Sequence, residues 1–265
     1  MNIKCILLDI DNTLTGSNEE ISKETSEYFS TINKDYLIIL VTGRTNMYAV
    51  EKSKKCNASK IVIADNGAVI YNYEKDEVLY SRFFDKKTIS LIWDISQKYS
   101  IDCVFNTLYK RYRNNNYMTE EHIKNYNIGI NGINDIKSEV TQIVLLSNNE
   151  NEYLKCIEEI VCIDNIEICN KGRESDGRYF ADLNIKDTSK GNSITMLYKL
   201  FNIQKKETIC FGDSKNDLSM FENSGIKVAM QNASIDIKEK ADFITEFSNK
   251  ENGVIEFLKE YLKNN

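Results

Sequence analysis

The chain has 265 residues and contains no proline at all, with one histidine, one tryptophan and 11 glycines. Without proline no turn can use a ring-fixed φ, so reversals must fall to Asn, Asp, Gly and Ser. The single His122 lies in a polar stretch and is expected at the surface. The seven cysteines (Cys5, Cys56, Cys103, Cys156, Cys162, Cys169, Cys210) form no CxxC pair and no metal-type spacing. They are expected to be free thiols in a reducing cytoplasm. No apolar run approaches the roughly 20 residues that cross a bilayer, so no membrane partner is expected. A basic excess is missing too: 34 Lys and Arg against 40 Asp and Glu give a net charge of −6, which argues against nucleic acid. The N-terminus reads as a strand of the fold, not a leader.

What is present is a soluble globular composition, 42% hydrophobic and 28% charged, long enough for one large or two smaller domains. Short apolar runs alternate with amphipathic stretches over the first part: strands near 3–8, 36–41 and 61–64, helices near 22–33 and 45–54. Continuous apolar runs suit strands buried on both faces of a parallel sheet. The βαβαβ order points to a doubly wound α/β core.

Near residue 68 the rhythm changes to a hairpin turning at Lys75–Asp76. Helices near 86–99 and 150–161 and strands near 101–106, 140–147, 165–169 and 178–184 follow, with RYRNNN between them read as a polar loop. From Ser189 the first rhythm resumes. The organisation expected is a discontinuous core, 1–81 with 187–265, around an α+β insert, 82–186.

Ligands of open parallel sheets bind beyond the carboxyl ends of the strands. Four polar clusters fall at such ends: DIDNT, VTGR, DNGA and GDSKND. Each alone has an ordinary explanation. Asp9 and Asp11 could be turn and capping acids, or a nucleophile or metal ligand with an acid/base. Ser214 and Asp217 fit a capping box, while Asp213 and Asp217 at i, i+4 share a helix face. Thr42 and Gly43 could form a plain turn or a phosphate-accepting helix entry. Lys190 begins a helix, against the dipole, as a surface lysine or as the partner of an anion.

Magnitude favours reading them together. A carboxylate about 4 Å from one phosphate charge is opposed by roughly 4 kcal/mol at an effective dielectric near 20. That is about three decades in rate. A carboxylate attacking phosphate therefore needs cations, and acids that hold Mg²⁺ beside a lysine would provide them.

With these motifs in order, the chain resembles the haloacid dehalogenase (HAD) superfamily, and in particular its Cof-type class IIB phosphatases. DIDNT is similar to the DxDxT motif, VTGR to the threonine motif, TSKG to the lysine motif and GDSKNDLSM to GDxxNDxxM. VAMQNA, ADFIT and NGVIEFL continue the resemblance. It implies a HAD-like Rossmannoid core, a doubly wound parallel sheet, with an inserted α+β cap of the C2B type. It implies Asp9 as nucleophile forming an aspartyl-phosphate and Asp11 as general acid and then base. Thr42 and Lys190 would hold phosphate oxygens, with help from Asn216 and the amides of Ile10 and Gly43. Mg²⁺ would be bound by Asp9, the Asp11 carbonyl and Asp213, supported by Asp217. The cap would contact the rest of the substrate, with Arg111, Arg113, Arg173 and Arg178 as candidates beside Glu174 and Asp176.

One position departs from the pattern. Asn12 stands where family members commonly have Gly, and Asn tolerates a left-handed backbone, so the turn is expected to survive.

The expected function is Mg²⁺-dependent hydrolysis of a small phosphorylated metabolite, sugar phosphates first and nucleotide-like or cofactor phosphates next. The alternatives are a phosphomutase of the same chemistry and a non-catalytic metabolite-binding regulator. The oligomeric state is not legible in the sequence.

Overall fold

The computed structural model describes residues 3–16, 20–124, 127–174 and 176–263. The chain divides into two compact units, 1–80 with 189–265, and 81–188. It opens with β1 (Cys5–Leu8), α1 (Lys23–Ile32), β2 (Leu37–Val41), α2 (Asn46–Cys56), β3 (Ile61–Ala64), β4 (Val69–Asn72) and β5 (Glu77–Ser81). The second unit carries α3 (Lys86–Lys98), β6 (Asp102–Thr107), β7 (Arg111–Asn114), α4 (Glu120–Lys124) and β8 (Asn127–Ile130). It continues with β9 (Val140–Ser147), α5 (Glu150–Ile160), β10 (Ile166–Arg173) and β11 (Tyr179–Ile185). The first unit resumes with α6 (Lys190–Phe201), β12 (Thr208–Gly212), α7 (Leu218–Asn223) and β13 (Ile226–Ala229). It closes with α8 (Ile235–Lys238), β14 (Phe243–Ile244) and α9 (Gly253–Tyr261).

The first unit is built on a sheet ordered β14-β13-β12-β1-β2-β3-β4-β5. From β14 through β3 the pairing is parallel, and β4 returns antiparallel to β3. β1 lies inside this sheet and all four of its residues are buried, as its unbroken apolar run requires. Burial of each such side chain is worth about 1.5–3 kcal/mol. Register then decides where function can sit. Leu8 lies beside Leu40 on one side and Phe211 on the other, so β1, β2 and β12 leave the sheet together. Their next residues are Asp9, the Val41–Thr42 pair and the Gly212–Asp213 pair.

Helix entries follow the capping chemistry in the sequence. The Thr45 hydroxyl caps α2 and the Ser189 hydroxyl caps α6, each worth about 1 kcal/mol. The missing proline and scarce glycine are visible in the turns. Among the described residues, the non-glycine residues with positive φ are Asn12, Asn57, Asp65, Asn66, Asp76, Ser100, Asn165, Asp187, Asn202 and Asn252. All but Ser100 are Asn or Asp, which carry a left-handed backbone with least strain after glycine. Asp76 sits at the hairpin turn, and Asn12 has φ 59°, the conformation the departure from Gly demands.

The second unit is a sheet ordered β10-β11-β9-β6-β7-β8, antiparallel except for the parallel β7–β8 pair. Ile89, Ile92 and Ile95 of α3 and Tyr153, Cys156 and Ile160 of α5 share one core with Cys103, Phe105, Ile143, Leu145 and Leu183. RYRNNN corrects the sequence reading. It contains β7, because Tyr112 enters the core on one face while Arg113 on the other forks onto Asp102. The period is that of a strand, but two of its side chains are guanidinium groups, and polarity hid it. α7 is entered through a 3-10 turn over Lys215–Asp217.

Candidate active site

Asp9 ends β1 with its backbone N–H donating to the Phe211 carbonyl, and its residue is 5% exposed. Lys190, the first residue of α6 and 1% exposed, donates to Asp9 Oδ1 at 2.6 Å and to Asp217 Oδ1 at 2.7 Å. The reading of Lys190 as a surface lysine is thereby excluded. Asp217 uses its other oxygen to accept from the backbone N–H groups of Asp213 (3.0 Å) and Ser214 (3.1 Å). The capping box is therefore real. The capping acid and the lysine's partner are one side chain.

Gly212 makes this possible. A Cβ there would lie 2.6 Å from the Asp217 Cβ, so only glycine lets the acid fold back over the strand end. The Asp213 carboxylate accepts from the Thr13 hydroxyl at 3.2 Å, which ties the loop after β1 to the loop after β12.

Carboxylate oxygens of Asp9, Asp213 and Asp217 lie within 4.8 Å of one another. Three carboxylates against one ammonium leave a formal surplus of two negative charges. Burial raises the Asp9 carboxyl well above its usual range; Lys190 opposes this, and Asp217 and Asp213 add to it. Burial and then Asp217 push Asp213 up to about 6, against Lys190 and the Thr13 hydroxyl. Burial disfavours the Lys190 charge, but Asp217 and Asp9 outweigh it and the ammonium is held more tightly than usual. Asp9, Asp213 and Lys190 all shift upward, the two acids through burial first and neighbouring carboxylates second, the lysine through Asp217 and Asp9 in spite of burial. Hard oxygen donors with two surplus charges fit a divalent cation such as Mg²⁺.

The other predicted residues fall around this cluster. Thr42 is fully buried, its hydroxyl accepting from the Arg44 amide at 3.0 Å. Gly43 lies against Asn66 of DNGA, where a Cβ would meet the Asn66 Oδ1 at 2.7 Å. Ile10 is buried, and its carbonyl accepts from the amides of Thr13, Leu14 and Thr15. The Asn216 side-chain carbonyl accepts from the Ser214 hydroxyl.

Asp11 points elsewhere. Its carboxylate takes Arg44 Nε at 3.1 Å, Arg44 Nη2 at 3.2 Å and the Tyr48 hydroxyl at 3.1 Å. Arg44 and Tyr48 escaped the sequence reading, although VTGR ends on Arg44 and Tyr48 lies one helical turn further on. The spacing of 44 and 48 was the available signal.

In the inserted unit, Arg111 Nε donates to the Asn106 side-chain carbonyl, Arg173 lies over the Tyr179 ring, and Arg178 pairs with Asp176. Arg113 is buried against Asp102, which accounts for its charge without any substrate. His122 belongs to α4, its Nδ1 accepting from the Thr119 amide.

The sequence profile of the haloacid dehalogenase-like hydrolases matches residues 6–258. The chain belongs to that family. Its relatives include 5-amino-6-(5-phospho-D-ribitylamino)uracil phosphatase YcsE of Bacillus subtilis, 25% identical over 99% of this chain and 97% of that protein. A haloacid dehalogenase-like hydrolase from Bacteroides thetaiotaomicron has the same fold, with a TM-score of 0.86 and 24% identity over 98% of this chain and 99% of that one. So does a subclass IIB sugar phosphatase of the superfamily, with a TM-score of 0.75 and 24% identity over 97% and 98% of the two chains. The enzyme class that accompanies this membership is phosphoric monoester hydrolase. Among the described residues, no helix is long and apolar enough to cross a membrane.

Proposed function

We propose that this haloacid dehalogenase-like hydrolase is a Mg²⁺-dependent phosphatase that works through a phosphorylated Asp9. The observation that carries the reading is the cluster of Asp9, Asp213 and Asp217 around Lys190, with its two surplus negative charges at the carboxyl ends of parallel strands. Asp9, Asp213 and the Asp11 carbonyl would hold Mg²⁺, with Asp217 behind them. Bound there, Mg²⁺ supplies the positive charge that lets a carboxylate approach a phosphate dianion.

The chain's own groups do the rest. Asp9 Oδ attacks phosphorus, and Lys190 fixes the rotamer from which it does so. Thr42, Lys190, Asn216 and the amides of Ile10 and Gly43 bind phosphoryl oxygens. Asp11 gives a proton to the leaving alcohol and later takes one from the water that releases phosphate. The inserted unit is assigned the choice of alcohol.

A phosphorylated sugar or sugar alcohol is the substrate class favoured, supported by the ribityl phosphate and sugar phosphatase activities named for relatives of the same length and fold. A reducing cytoplasm suits the seven free cysteines. A non-catalytic regulator is disfavoured because every acid of the cluster is retained.

Two measurements test this. Purified protein with Mg²⁺ should release phosphate from members of a panel of sugar and sugar-alcohol phosphates, and EDTA should abolish the release until Mg²⁺ is restored. Mg²⁺ alone should also raise the thermal midpoint, since a ligand at 100 times its Kd stabilises by about 2.7 kcal/mol. Activity indifferent to EDTA, or a midpoint indifferent to Mg²⁺, would remove the metal from the account.

A further inference from the structure

Asp11 is met by three donors from one short segment of chain, and none of them belongs to the acid cluster. Arg44 Nε donates to Oδ2, while Arg44 Nη2 and the Tyr48 hydroxyl both donate to Oδ1. The Arg44 guanidinium lies 5.2 Å from the Tyr48 ring centroid, and the Lys52 ammonium lies 4.9 Å from it. The ring thus meets one cation from the residue before the α2 cap and one from within α2.

The backbone beneath these side chains is fixed. The Arg44 amide donates to the Thr42 hydroxyl, and its carbonyl accepts from Asp65. The Thr45 hydroxyl accepts from the Tyr48 amide at the start of α2. On the other side, Asn12 carries its left-handed turn with its carbonyl accepting from the Asn232 side chain. Stability does not explain the arrangement, because the Arg44 side chain is 50% exposed and Asp11 29%, and ion pairs this exposed contribute little.

We infer that Tyr48 and Arg44 are positioning residues for Asp11, the group to which the phosphatase reading gives proton transfer; the inference rests on that reading. Two donors anchor Oδ1 and one holds Oδ2, so Oδ2 is the oxygen presented for reaction when Arg44 Nε yields its place. In the first half-reaction the Asp9 O–P bond forms, the alcohol O–P bond breaks, and the proton on Asp11 Oδ2 passes to the alcohol oxygen. In the second, a water O–P bond forms, the Asp9 O–P bond breaks, and a water proton returns to Oδ2. Tyr48 and Arg44 remain on Oδ1 throughout and restrict the rotation of the carboxyl group.

The test compares leaving groups that differ in their need for a proton. Nitrophenolate departs without one, whereas the alkoxide of a sugar-alcohol phosphate does not. In Tyr48→Phe, kcat for the sugar-alcohol phosphate should fall about tenfold with KM nearly unchanged, the loss expected of one hydrogen bond to a charged group. The first-turnover release of nitrophenol from p-nitrophenyl phosphate should stay within about twofold, since that step needs no acid. Arg44→Lys, which keeps the charge but loses the fork, should show the same split. An equal fall for both substrates, or no fall for either, in an active and folded variant overturns the positioning role alone. A wild-type protein that releases phosphate from neither substrate overturns the phosphatase reading, and this inference with it.

Discussion

Asp9→Asn should lose phosphatase activity by at least about 10³-fold with its fold intact, because a covalent route has no substitute for its nucleophile. The amide matches the carboxylate in shape, so the strand end and the approach of Lys190 are kept. It also removes one of three crowded carboxylates, where burial first and the neighbouring acids after it already hold the Asp9 carboxyl well above its usual range. The thermal midpoint of metal-free Asp9→Asn should therefore be no lower than that of the wild type. A variant that is inactive because it is unfolded would show the opposite, so one melting curve separates the two causes. Retained activity in a folded variant would assign the attack on phosphorus to another group.

Lys190→Met carries the largest expected loss of stability. The lysine is 1% exposed and its ammonium touches two carboxylates that are themselves buried. Methionine fills a similar volume but leaves Asp9, Asp213 and Asp217 without a counter-charge. Removing one partner of a buried ionic cluster costs about 3–5 kcal/mol. Screening by solvent does not reduce the effect here, since neither Lys190 nor Asp217 reaches water. The midpoint of chemical denaturation should fall accordingly, and Mg²⁺ should recover part of the loss by supplying charge at the same place. A denaturation midpoint equal to that of the wild type would mean that the acids are not jointly charged, and the surplus charge attributed to the site would be wrong.

The core was legible because its physics is local. β1, β2 and β3 are unbroken apolar runs set inside the sheet, β12 carries the apolar run Ile209–Phe211, and the polar clusters begin where those runs stop. β9 occupies the residues its sequence marks. What could not be read was pairing across sequence distance. Nothing in RYRNNN says that Arg113 will find Asp102 and turn a polar stretch into a strand. Nothing in GDSKND says that Asp217 will both cap its turn and accept from Lys190, and the structure shows both contacts at once. Lys190 gave a hint, as a cation at the wrong end of a helix, but its partners lie 181 and 27 residues away in sequence. Arg44 and Tyr48 gave less, because the carboxylate they meet lies 33 and 37 residues earlier, in the loop after β1. Asn12 is the converse case, since the chemistry of one residue type anticipated its left-handed turn.

The central claim is that phosphate passes through Asp9. Acid quenching of the enzyme during turnover of a phosphomonoester with Mg²⁺, followed by peptide mass spectrometry, tests it directly. One phosphoryl group is expected on the peptide containing Asp9, removable by hydroxylamine and missing in Asp9→Asn. A phosphoryl group on any other residue, or turnover at full rate with no label on that peptide, would contradict it.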